Sequence, residues 1–78
     1  MALTLYGKPD GTAFVHALDT KHGTAACIDL PWQGVGDAVW KVRLSVAGGV
    51  LQLNQPGLGR LATVDLSTLA VRSFRSPG

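Results

Sequence analysis

A weak internal repeat constrains the fold of this chain more than any other feature of its sequence. A shift of 46 residues superposes four identical pairs without gaps: Leu5 and Leu51, Gly11 and Gly57, Asp19 and Asp65, Pro31 and Pro77. Apolar residues also coincide, for example Val15 with Leu61. Each copy contains a strand, a polar turn that follows an Asp, a second strand and a Pro. The repeat predicts two similar units built only from antiparallel strands.

Alternating apolar residues between Gly- and Pro-containing turns predict seven strands. Their expected ranges are residues 3–6, 13–19, 24–30, 38–46, 50–54, 60–66 and 71–75. Gly48 and Gly49 both tolerate positive φ, so they fit a tight hairpin between the fourth and fifth strands. The frequent Gly and Pro residues, and the complete lack of Glu, argue against long helices.

The strands divide into three before Pro31 and four after it. We therefore expect a single 78-residue unit with a first, incomplete repeat at 1–31, a second repeat at 38–78 and a connecting loop at 32–37. The first repeat lacks the equivalent of strand 38–46, which would precede residue 1. A small closed barrel and a sandwich are the alternative architectures.

The composition is apolar for a small free-standing domain. Hydrophobic residues make up 46% of the chain and charged residues 15%, so disorder is not expected. The excess of apolar residues predicts burial against a partner. The sequence shows neither a signal peptide nor an apolar run near the ~20 residues of a membrane-spanning helix. We expect no membrane partner, and the compartment stays open.

Charge is divided unevenly along the chain. Residues 1–39 contain two Lys and four Asp, for a net charge of −2, whereas residues 40–78 contain five Lys or Arg and one Asp, for +4. Two copies that meet head to tail would place an acidic half against a basic one. This asymmetry favours self-association, and it makes nucleic acid an unlikely partner because no continuous basic stripe is present.

The segments VHALDT at 15–20 and LATVDLST at 61–68 resemble a known blade pattern. The pattern is the "V-x-x-ID-x-x-T-x-x-V" of β-propellers of the YVTN or surface-layer type. The resemblance implies an all-β fold of two blade-like meanders. A propeller needs 4–8 blades to close, so it also implies a homo-oligomer, with a trimer preferred over a tetramer. The implied role is a non-enzymatic structural or binding scaffold.

Two tryptophans and two basic residues are the candidate ligand or interface residues. Trp32 and Trp40 flank the connecting loop, where an aromatic platform for a sugar or peptide and packing between sheets are both reasonable. Trp40 is in phase with the apolar side of strand 38–46, which predicts packing, while Trp32 stays open. Lys41 and Arg43 lie on the alternate side of that strand.

No catalytic, cofactor or metal motif is found. Asp19 and Asp65 are interpreted as caps of their turns. Cys27, the only cysteine, excludes an intrachain disulfide, and its pairing with His16 or His22 as thiolate and base lacks a third orienting residue. Two other functions are kept as alternatives: a ligand-binding propeller with an axial pocket lined by strand 38–46, and a small basic β-barrel that binds single-stranded nucleic acid.

Overall fold

The computed structural model describes residues 2–78, and among them the side chains of all but residues 36 and 37. A 3₁₀ helix spans Gly36–Lys41. The seven strands are β1 Ala2–Gly7, β2 Ala13–Asp19, β3 Thr24–Leu30, β4 Arg43–Ala47, β5 Val50–Gln55, β6 Gly59–Asp65 and β7 Val71–Ser73. They form two antiparallel sheets, ordered β1-β2-β3 and β4-β5-β6-β7. The prediction of an all-β chain with seven strands, three and then four, is confirmed.

Each sheet is a meander in which every strand pairs with its neighbour in sequence. The β4–β5 hairpin shows why the sequence turns where it does. Ala47 pairs with Val50, and the two residues between them, Gly48 and Gly49, have φ values of 59° and 76°. Positive φ at both central positions matches the twist of the flanking strands, so the predicted tight hairpin is confirmed.

One hydrophobic core takes residues from both sheets. In the first sheet, Val15 lies between Leu5 and Ile28 in the strand register. In the second sheet, Leu53 lies between Leu44 and Ala62. Within residues 2–78 no strand ladder joins the two sheets, so the strands do not close into a single barrel. The arrangement is two sheets that share one apolar layer.

The predicted strand 38–46 is wrong in its first half. Residues 36–41 form the 3₁₀ helix, and β4 begins only at Arg43. Side chains three residues apart eclipse in a 3₁₀ helix. Val39 and Val42 therefore reach the core together, whereas Trp40 points outward and is 80% exposed. The expected packing of Trp40 in phase with Val42 and Leu44 is wrong because the local period is three residues and not two.

Trp32, and not Trp40, is the tryptophan that packs in the hydrophobic core. Its side chain is fully buried, and its Nε1 donates a hydrogen bond to Ser73 Oγ at 3.3 Å. Ser73 is the last residue of β7, so this indole ties the segment between the sheets to the edge of the second sheet. Trp32 is consequently not available as a surface platform.

Gln55, the last residue of β5, binds the C-terminal segment through two hydrogen bonds. It is buried, and its Nε2 donates to the carbonyl oxygen of Gly78 at 2.6 Å, while the Gly78 amide donates back to Gln55 Oε1 at 3.2 Å. This reciprocal pair satisfies a buried amide that would otherwise cost stability. Among residues 2–78 there is no helix long and apolar enough to cross a membrane.

Candidate interaction surfaces

The first sheet carries apolar side chains on both of its faces. Ala13, Val15 and Ala17 of β2 are buried in the core, and the alternate residues point the other way. On that outer side, Tyr6 pairs with Phe14 and His16 with Cys27 in the strand register. We name this outer side the aromatic face and define it by Tyr6, Phe14, His16, Leu18 and Cys27.

The aromatic face is organised by contacts between its rings. The Tyr6 and Phe14 rings stack with centroids 5.2 Å apart and an interplanar angle of 20°, and His16 meets Tyr6 edge-on at 6.5 Å. Lys8 Nζ lies 5.3 Å from the Phe14 centroid and 3.3 Å from Asp29 Oδ1. Tyr6 is nevertheless 46% exposed, so this preformed aromatic surface is open to a partner.

The outer side of the second sheet has the opposite chemistry. In the strand register, Asn54 of β5 lies between Arg43 of β4 and Arg60 of β6. Further along β6, Thr63 pairs with Arg72 of β7. We name this surface the arginine face and define it by these five residues. The three guanidinium groups belong to exposed residues on three different strands. The charge is therefore spread over the face rather than gathered into one pocket.

Two exposed turns beside these faces are built in the same way. Asp19 Oδ1 accepts hydrogen bonds from the backbone amides two and three residues later, at 3.1 and 3.3 Å. Asp65 Oδ1 does the same at 2.9 and 3.4 Å. The interpretation of both residues as turn caps is confirmed. The fourth residue after each Asp also agrees, since Gly23 has φ 65° and Leu69 has φ 64°.

Hydrogen bonds lower the pKa of the turn carboxylates. The side chain of His22, 2.8 Å from Asp19 Oδ2, is the main cause for Asp19. The hydroxyl of Ser67, 2.7 Å from Asp65 Oδ1, is the main cause for Asp65. Asp10 has a lowered pKa because the Thr12 hydroxyl and amide donate to it. These interactions favour the charged carboxylates and fix the turns, and none leaves a carboxylate poised for proton transfer at neutral pH.

The remaining sequence candidates lie together at the start of the second sheet. Trp40 and Lys41 are exposed at the end of the 3₁₀ helix, and Arg43 is exposed at the first position of β4. The structure brings these three residues into one segment and separates them from buried Trp32. Only Arg43 also belongs to the arginine face.

The side chains that the structure describes form no nucleophile arrangement around Cys27. The thiol is exposed and lies opposite His16 across β2 and β3, but no hydrogen bond joins the two side chains in the described part of the chain. His22 instead contacts Asp19. Among the residues that the structure describes, no three His, Cys, Asp or Glu side chains come together as a metal site.

A concavity of about 430 Å³ opens at the β7 side of the arginine face. It is lined by Val50, Thr63, Asp65, Ala70, Val71 and Arg72. The Asp65 carboxylate is already engaged by its own turn, and the remaining lining offers a single cation. This concavity therefore has little with which to orient a small ligand.

Sequence reasoning missed the aromatic face, although its signal was present. The β2 sequence AFVHALD is apolar or aromatic at six of its seven positions when His is counted as aromatic. A strand that is apolar on both sides is characteristic of a sheet covered on both faces. The pattern at residues 13–19 thus indicates apolar side chains on both sides of β2, and the structure shows which residues form the outer side.

Comparison with known proteins gives no relative. No protein-family model, no curated protein and no solved structure matches the chain. The likeness to YVTN-type blades accordingly stands on the sequence pattern and stays a prediction.

Proposed function

We propose that this chain is a non-enzymatic β-propeller module of two blade-like sheets that assembles with copies of itself into a closed ring and serves as a structural or binding scaffold. The observation that carries the proposal is the correspondence of one strand in each sheet, β2 and β6, at the 46-residue offset of the sequence repeat. β2 spans residues 13–19 and β6 spans 59–65, so their bounds coincide under that shift.

The turns support the same relation in finer detail. Asp19 and Asp65 cap their turns with the same two amides, and φ agrees within a degree at Gly23 and Leu69. Leucine is rarely found at positive φ, because its Cβ then approaches the following carbonyl oxygen. Leu69 nevertheless adopts the φ of Gly23, which favours a turn conformation that both units share despite their different residues.

The strand count supports self-assembly. A four-stranded antiparallel meander is the standard propeller blade, and the second sheet has this form. The first sheet has three strands, so within residues 2–78 the edge of β1 lacks the strand neighbour that β4 provides to β5 in the second sheet. Open edges and an uncovered aromatic face are both features that association with another copy removes.

The oligomeric mass tests this function. Native mass spectrometry and light scattering at micromolar concentration are expected to give three 8.1-kDa chains, which together provide six blades. Four chains would keep the ring and change its blade number. A folded monomer over the whole micromolar range would refute the ring.

A further inference from the structure

We infer that the aromatic face of one copy docks on the arginine face of a second copy, in a head-to-tail contact. This inference rests on the proposed self-assembly and adds the two surfaces that meet. The two faces lie on the outer sides of different sheets, so each copy can use both at once. Such a heterologous contact propagates from copy to copy and closes when the rotation fits.

The chemistry of the two faces is complementary. Arginine guanidinium groups stack on aromatic rings and are attracted to their π faces. Tyr6 and Phe14 already present a stacked pair, and the molecule itself places one cation, Lys8, over the Phe14 ring at 5.3 Å. Arg60 or Arg43 of a second copy would extend the same contact.

Charge distribution selects this pairing over the symmetric ones. Residues 1–39, which contain the whole first sheet, carry −2, and residues 40–78 carry +4. Asp29 adjoins the aromatic face with 79% of its side chain exposed, so it remains accessible to an incoming guanidinium despite its contact with Lys8. Two arginine faces would repel each other. Two aromatic faces would leave all three arginines of the other sheet uncovered.

A pair of blocking variants tests the contact directly. Tyr6→Arg places a cation on the aromatic face, and Arg60→Glu places an anion on the arginine face. Each variant alone is expected to remain monomeric at concentrations where the native chain assembles. An equimolar mixture is expected to form a heterodimer, because the unchanged aromatic face of the Arg60→Glu variant meets the unchanged arginine face of the Tyr6→Arg variant.

Matched controls keep the charge change and move it off the faces. Lys21→Glu alters charge by the same amount as Arg60→Glu but lies in an exposed turn, and Gln33→Arg adds a cation in the connecting segment. Both are expected to assemble like the native chain. Circular dichroism of each variant establishes that loss of assembly is not loss of fold.

The native thiol provides a second measurement without any substitution on the faces. Cys27 is the only cysteine and lies on the aromatic face, so a thiol-reactive probe should label it about tenfold more slowly once nine tenths of the chains are assembled. Cys27→Ser gives the background of the assay.

The outcomes separate this inference from the function on which it rests. A native chain that stays monomeric refutes the proposed assembly itself. A native chain that assembles while Cys27 remains fully reactive, or while both blocking variants still assemble, leaves the assembly standing and overturns the assigned faces. Assembly of Arg60→Glu alone would indicate contact between two aromatic faces and would also overturn the head-to-tail pairing.

Discussion

Replacement of Trp32 by alanine should be the most damaging single change at an aromatic position, while the same change at Trp40 should be nearly silent. Trp32 is fully buried, and a buried tryptophan removes about 150–250 Å² from water. At about 25 cal/mol per Å², that area corresponds to roughly 4–6 kcal/mol, of which alanine keeps a small part. Aromatic-to-alanine changes in protein cores cost about 3–5 kcal/mol. We therefore expect a loss of about 4 kcal/mol.

The hydrogen bond from Trp32 Nε1 to Ser73 Oγ makes a further, separable contribution. Trp32→Phe keeps most of the apolar volume and removes this donor, so it should cost about 1–2 kcal/mol. Trp40→Ala, at an 80% exposed site, should change the free energy of unfolding by no more than about 0.5 kcal/mol.

Urea unfolding followed by far-ultraviolet circular dichroism measures these differences without relying on tryptophan fluorescence. All variants are compared at one protein concentration, because assembly would make apparent stability depend on concentration. If Trp32→Ala is unfolded in water, Trp32→Phe against Trp40→Phe carries the test. A Trp40 variant as destabilised as its Trp32 counterpart would refute the assignment of the core.

Three further predictions follow from the turns and the charged face. Gly23→Ala should destabilise the fold by about 1 kcal/mol, because this position has positive φ. For the same reason Leu69→Gly should be more stable than Leu69→Ala. Urea melts in which the alanine variant is the more stable one at either site would contradict this. The lowered pKa values of the turn aspartates imply stability that is present above pH ~4 and lost as the pH falls through the lower folded-state values. Asp65→Asn should flatten that decline in acid melts, and an unchanged pH profile would count against it. Single-stranded oligonucleotides should give no salt-dependent gel shift, whereas a clear shift at low salt would favour nucleic-acid binding by the arginine face.

Local patterns predicted the strands and tight turns because those features depend on neighbouring residues. The Gly48–Gly49 pair is sufficient to predict the hairpin between β4 and β5. The alternation in residues 50–54 is sufficient to predict which side chains of β5 face the core. The 3₁₀ helix escaped prediction because Trp40, Val42 and Leu44 fit a two-residue period from the sequence alone, and only the core contact of Val39 distinguishes a three-residue period.

The roles of the two tryptophans were not readable from sequence for a different reason. Both flank the same loop, and the buried one, Trp32, bonds to Ser73 of β7, 41 positions further along the chain. The aromatic face was visible as apolar residues on both sides of β2, but the strand register was needed to place Tyr6 beside Phe14. Contact of that face with a second copy would be a property of two molecules, and a single sequence contains no pattern for it.

The meander order of both sheets has a consequence for how the chain reaches its native state. Every ladder joins strands that follow one another directly, so each hairpin can close across a short loop at low entropic cost. The apolar layer, however, is shared, and neither sheet can bury its inner side alone. Individual hairpins should therefore form quickly but stay unstable, and they should persist only once the segment with Trp32 has brought the two sheets together. Docking of the two halves, rather than strand pairing, would then set the folding rate, and the halves produced as separate peptides should acquire structure only when mixed.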